Sequence, residues 1–317
     1  MTPQEALDAA IAKNKRQSHS PRTIETYAYQ LRAFCEWTHE HGIPSPFDCD
    51  EDPPVLTAAL DPDTVNAWMV ARQLDGRSVA YIVLGLAALG YASRAAGLPD
   101  PAQDTEVRKV RRGIVREGAD RGQKQAPPLT TELLDDMEGA VSMRDLAMLR
   151  LMFEGGLRIG ETAALTWGDI TQEPDGSGRV RIRRSKADQE GKGAVVAISP
   201  RTYELLDLYR TSIQFDARRY VPNERPAHGG LQFADRDEDS VFGASAGTLS
   251  RRIRRAGERV GHPALTAHSA RVGFAVHLAK QSVPVHVVAR LGRWKSVDIV
   301  LRYIKGVDAA ESLRYFD

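Results

Sequence analysis

Residues 117–130 read EGADRGQKQAPPLT, a polar run with glycine and proline and no apolar periodicity. Such a run cannot bury a face. Inside one domain it would be an ordinary surface loop, but a new periodic region begins at Leu133 immediately after it, which favours an exposed linker between two domains. A chain of 317 residues can give each side an ordinary core.

On the N-terminal side, residues 20–42 predict one helix with a Ser-Pro start. Ile24, Tyr27, Leu31 and Phe34 recur at helical spacing, and His41-Gly42 ends the pattern. A Pro- and Asp-rich loop over 43–63 is followed by helical stretches near 63–74, 78–96 and 102–113. An all-helical domain is therefore expected over 20–116, after an N-terminal extension, 1–19. That extension has no apolar signal core, and no segment is long enough to cross a bilayer. Cys35 and Cys49 have neither metal spacing nor the density of a disulfide scaffold. They read as packing residues of a soluble, cytoplasmic protein.

On the C-terminal side, a helix over 144–154 breaks at Gly155-Gly156, and another begins near Ile159, which leaves Arg158 in the turn between them. Residues 179–184 and 194–199 enclose RSKADQEGKG and predict a β-hairpin with Lys186 at its tip. From about 200 onward the chain reads as helical, except for a polar loop near 221–244. The fold class is mainly α with a small β-sheet.

The 43 basic and 42 acidic residues nearly cancel, so the distribution of charge matters more than its sum. Acid collects at Asp48, Asp50, Glu51, Asp52, Asp61 and Asp63. Arg108, Lys109, Arg111 and Arg112 form one basic run, and Arg251, Arg252, Arg254 and Arg255 another. Each basic cluster alone reads equally as a solvated face and as a nucleic-acid contact. The second lies on a predicted helix, 247–259, with Leu249, Ile253 and Ala256 facing inward. Arginine there can grip phosphates or pair with guanine, as in a major-groove helix.

Four fragments, GGLRIGE, RRSKADQEGKG, AHSARVG and GRWKSVDIVLRYI, carry Arg158, Lys186, His268, Arg271, Trp294 and Tyr303 in that order. These groups suffice to hold and attack a phosphodiester without a metal ligand. His268 and Arg271, three apart at a helix start, share a face, and Ala267, Ala270 and Gly273 keep that surface low enough for a bulky backbone to approach. Val297, Val300, Leu301 and Ile304 form a core stripe, with Tyr303 about 110–120° from its middle. Trp294 reads equally as an anchoring aromatic and as an N–H donor. Glu161, one turn after Arg158, reads as a surface pair or as a carboxylate that holds the guanidinium in place.

The ordered set resembles the tyrosine recombinases, the phage integrase family, and AHSARVG with GRWKSVDIVLRYI resembles in particular its Cre-like branch. The resemblance implies a C-shaped DNA clamp: a helical core-binding domain (20–116), a linker (117–130), a catalytic domain (131–306), and a C-terminal helix (307–317) that docks on a neighbouring protomer. With about twenty residues before the first helix, a simple Cre- or Xer-like machine is expected rather than a larger integrase with an arm-binding domain. The resemblance assigns Tyr303 as nucleophile, Arg158 and Arg271 to the non-bridging oxygens, and His268 to proton transfer. It assigns Trp294 to a phosphate oxygen, Lys186 to the leaving 5′-oxygen, and a supporting role to Glu161. The implied partners are duplex DNA with inverted-repeat half-sites and a homotetramer on two sites, with no cofactor, metal, ATP or membrane. A type IB topoisomerase and a non-catalytic DNA-binding protein remain open as alternatives.

Overall fold

The computed structural model describes residues 20–119, 125–183, 193–218 and 237–311, without the side chains of 119, 215–218 and 306–311. The chain divides into two compact units, Met1–Lys124 and Gln125–Asp317.

The first unit is built from α1 (Pro21–Glu40), α2 (Pro62–Leu74), α3 (Val79–Ala95) and α4 (Thr105–Ala119). Side-chain caps start the first three: Ser20, Asp61 and Ser78 each accept from the backbone N–H three residues on. Leu31 and Phe34 of α1 are buried with Trp68, Met69, Ile82, Leu86 and Leu89, while Ile24 and Tyr27 lie at the edge. A Cβ at Gly85 would overlap the Trp68 ring, so this glycine allows α3 its close approach.

Two expectations change in this unit. The loop over 43–63 contains a two-residue antiparallel ladder, β1 (Phe47–Asp48) with β2 (Val55–Leu56). It forms because Phe47 inserts edge-on against Phe34, with ring centroids 5.8 Å apart. That insertion brings Cys49 beside Cys35, and the two are joined as a disulfide with Cα atoms 6.0 Å apart. Reading them as separate packing residues is thus corrected: a spacing of 14 residues does not reveal that the loop folds back on α1. Helix α4 also runs on to Ala119, past the expected end near 113 and into the stretch read as linker. Ile114 keeps the helical period inward, and Gln73 Nε2 donates to Glu117 at 2.7 Å.

In the second unit, α5 (Thr131–Asp136), α6 (Met143–Glu154) and α7 (Ile159–Ala164) precede a three-stranded antiparallel sheet. Its order is β3 (Ile170–Gln172), β4 (Gly178–Ile182), β5 (Ala194–Ile198). The expected hairpin is the β4–β5 pair, which ends at Ile182↔Ala194, and β3 is an addition. Then follow α8 (Pro200–Arg218), α9 (Ala246–Arg259), α10 (Ala267–Lys280), α11 (Val285–Leu291) and α12 (Val297–Glu311). The larger core surrounds α6, from which Leu146 to Phe153 are all buried. Such a helix is apolar nearly all round, and its two buried charges are paired: Arg150 with Asp135 at 2.7 Å and Asp145 with Arg252 at 2.6 Å. A smaller core joins α10, α11 and α12 through Ala275, Val288, Ala289, Val300 and Ile304. Leu301, expected in that stripe, is exposed instead, because Val297, Val300 and Ile304 already meet α10 and α11. Of the expected C-terminal helix, residues 307–311 continue α12, and 312–317 lie outside the described residues. Among the described residues no helix is long and apolar enough to cross a membrane.

Candidate active site

Four short stretches of the second unit converge. The first is the turn between α6 and α7. Gly156 has φ 55, which glycine adopts freely, and it lets the chain reverse into Arg158 at the N-cap of α7. The Arg158 backbone N–H donates to Glu161 Oε2 at 2.9 Å, and its Nη1 donates to Glu161 Oε1 at 2.8 Å. Rather than swinging clear of the core, Arg158 is held at both ends by one buried carboxylate.

The second stretch is the start of α10. Thr266 Oγ1 accepts from the His268 N–H, and Ser269 Oγ accepts from the Thr266 N–H, a reciprocal cap that fixes the first turn. One turn on, Arg271 is buried, donating from Nη1 to the Gly156 carbonyl and from Nη2 to the Gly292 carbonyl at 2.9 Å. The low surface around Gly273 serves the chain itself. A Cβ there would overlap the Leu129 carbonyl, and the Leu129 N–H donates to Ser269 O at 3.0 Å.

The third is the loop between α11 and α12, where Trp294 packs on Phe274 with centroids 6.0 Å apart. Its face covers the Arg271 guanidinium at 4.4 Å, a cation–π contact. A Cβ on Gly292 would overlap this ring. The fourth is α12, whose Tyr303 is half-buried, edge-on to Trp294 at 5.9 Å and to His268 at 5.3 Å. Tyr303 Oη and His268 Nε2 are 2.8 Å apart.

Arg158, Glu161, His268, Arg271, Trp294 and Tyr303 thus form one connected cluster, whereas Lys186 lies outside the described residues. Of the basic runs, Arg108, Lys109, Arg111 and Arg112 are exposed on α4, with Lys109 paired to Glu106. Arg251, Arg254 and Arg255 are exposed on α9, but Arg252 turns inward to Asp145 and Ser142. The sequence reading missed Arg293. Its Nη2 donates to Glu161 at 2.9 Å and to Gly156 O at 3.1 Å. The one signal was its place between Gly292 and Trp294.

Burial works to raise the Glu161 carboxyl, but the Arg158 N–H, the Arg293 charge and the Arg158 side chain outweigh it and hold Glu161 below the usual carboxylate range. Burial, reinforced by Arg158, lowers Arg271 to about 9, so it remains charged at neutral pH. Although His268 is exposed at its outer edge, partial desolvation, then the charges of Arg271 and Arg158, lower its imidazole. The neutral ring, the form that can accept a proton, therefore persists further into acid than usual. In the free protein the His268 NMR titration should have its midpoint below about 6.5, and Arg158→Leu, by removing one repelling charge, should move it up. A parent midpoint above 6.5 would contradict this electrostatic reading.

The geometry is that of a nucleophile with an adjacent proton acceptor, set beside a guanidinium cradle for an anion. The family profile described as "Phage integrase family" matches residues 129–309, more than half of the chain. The chain belongs to the phage integrase family, the family of the tyrosine recombinases. It is 26% identical over 266 residues to the recombinase cre of Escherichia phage P1, covering 78% of this chain and 77% of that one. It is 26% identical over 314 residues to an integrase/recombinase xerD homolog of Selenomonas ruminantium, covering 95% of this chain and 86% of that one. In fold it is similar to a lambda integrase tetramer bound to a Holliday junction, with a TM-score of 0.56 and 18% identity over 96% of this chain and 77% of that one.

Proposed function

We propose that this chain is a site-specific DNA recombinase that cleaves and rejoins duplex DNA through a 3′-phosphotyrosyl intermediate on Tyr303. The observation that carries the reading is the 2.8 Å contact between Tyr303 Oη and His268 Nε2 beside the Arg158–Arg271 pair. An ordinary phenol, with a pKa of about 10, is a poor nucleophile at neutral pH. It needs an acceptor for its proton and a phosphate whose charge is masked. His268 takes the proton as Tyr303 Oη attacks phosphorus. Arg158 and Arg271 stabilise charge on the non-bridging oxygens of the pentacoordinate transition state, and the Trp294 indole N–H donates to one of them.

The 5′-oxygen leaves as the phosphotyrosyl bond forms. Lys186 supplies its proton, a role that rests on the family resemblance. A 5′-hydroxyl from a partner strand then attacks the phosphotyrosine and releases Tyr303, so bond energy is conserved without ATP or a metal. The second unit would act with the helical first unit on DNA, where exposed Arg111, Arg112, Arg254 and Arg255 suit phosphate contacts. Strand exchange between two inverted-repeat sites would pass through a Holliday junction in a homotetramer, an arrangement like that named for the lambda integrase relative.

The test uses DNA flanking the gene that carries an inverted repeat with a short spacer. Recombination between two copies of it, with a detergent-stable adduct at Tyr303, is expected. Supercoil relaxation without recombination would favour a topoisomerase instead, and binding without an adduct a non-catalytic protein. Lys186→Ala should slow cleavage by about 10²–10⁴ with little loss of binding, the usual range for removing a general acid. A substrate with sulfur as the leaving atom needs no such acid and should recover much of the rate. Absence of recovery would count against that role.

A further inference from the structure

Arg293 has φ 57, the left-handed region that glycine occupies freely and side chains resist. Glycine would be unstrained at this position. The Arg293 side chain is largely withdrawn from solvent, at 12% exposure. Nη1 donates to the Gly155 carbonyl at 3.2 Å, and Nη2 to the Gly156 carbonyl at 3.1 Å and to Glu161 Oε2 at 2.9 Å. In the opposite direction, the Arg293 carbonyl accepts from Arg158 Nη2 at 3.1 Å.

Arg293 therefore touches the Arg158 guanidinium in two ways, through the shared Glu161 carboxylate and through its own carbonyl. It also braces the two glycine carbonyls of the turn that delivers Arg158, one of which accepts from Arg271 as well. Given the recombinase reading above, we infer that Arg293 is a positioning residue for DNA cleavage. By sharing Glu161 and presenting its carbonyl from a left-handed backbone, it fixes the Arg158 fork at the scissile phosphate. Without it, Glu161 has Arg158 as its main cationic partner and draws that guanidinium toward itself, away from the phosphate oxygens.

The test uses the full chain with Arg293→Gly, which removes the side chain and suits the backbone angle, and Arg293→Lys, which keeps charge without the fork. Single-turnover cleavage of a nicked half-site, DNA affinity, thermal unfolding and the Arg158 Nε–H resonance of the free protein are measured. Arg293→Gly should fold and bind DNA within about threefold of the parent while cleaving about 30- to 100-fold more slowly, the scale of a misplaced transition-state donor. Arg293→Lys should recover only part of the rate. Combined with Glu161→Gln, the Arg293→Gly loss should be much less than additive, because both act through Arg158. The Arg158 Nε–H should broaden or shift in Arg293→Gly.

Cleavage at the parent rate, equal losses in binding and cleavage, or strictly additive losses would each overturn the proposal. A parent that forms no Tyr303 adduct sinks the functional reading. The Arg158 resonance then decides the positioning claim alone: a response to Arg293→Gly upholds it, and no response overturns it.

Discussion

Tyr303→Phe is expected to bind DNA as tightly as the parent and to form no detergent-stable adduct, a fall in cleavage on the order of 10⁶. The substitution removes one oxygen. The ring keeps its edge-on contact with Trp294 and its place beside the α10–α12 core, so folding is preserved. His268, exposed at its outer edge, exchanges the lost partner for water at little cost. Binding and chemistry are thereby separated. A stable adduct formed by the phenylalanine variant would place the nucleophile elsewhere.

Arg271→Lys should also damage the reaction, although charge is conserved. The guanidinium holds two carbonyls, Gly156 and Gly292, from separate nitrogens while sitting over the Trp294 ring. A single ammonium cannot span both, and a buried carbonyl left unpaired costs about 1–3 kcal/mol. The unit should melt several degrees lower, and cleavage should fall by about 10²–10³, the cost of losing one oriented oxyanion donor. Single-turnover rates and calorimetry on the purified variant measure both. A lysine variant that cleaves within threefold of the parent would show that charge alone suffices there.

Much of this site was legible because its residues sit at helix boundaries with strong local signals. Gly155-Gly156 marks the turn that carries Arg158, and His268 and Arg271, three apart at a helix start, share one face of that helix. What the sequence hid depends on tertiary adjacency. Arg293 follows a glycine in no periodic segment, so only the folded turn shows that its side chain meets Glu161. Arg252 looked like one of four equivalent cations until α6 placed Asp145 beside it. Cys35 and Cys49 likewise meet only because Phe47 docks on Phe34. Leu301 belongs to an apolar stripe on a helical wheel, but the packing of α12 has room for only part of that stripe.

The arrangement of three guanidiniums, those of Arg158, Arg271 and Arg293, about the single Glu161 carboxylate has a thermodynamic side. The local charges do not sum to zero, and like charges held partly out of water repel one another. The folded unit is thus stabler with a counterion among them than alone, by the mass-action linkage that governs any ligand bound only by the native state. On the proposed recombinase reading, a phosphodiester seated there would be both the reactant and the anion that relieves this repulsion. Affinity for DNA backbone and resistance to unfolding are then coupled through one equilibrium, so an anion that occupies the cradle stabilises the fold it binds.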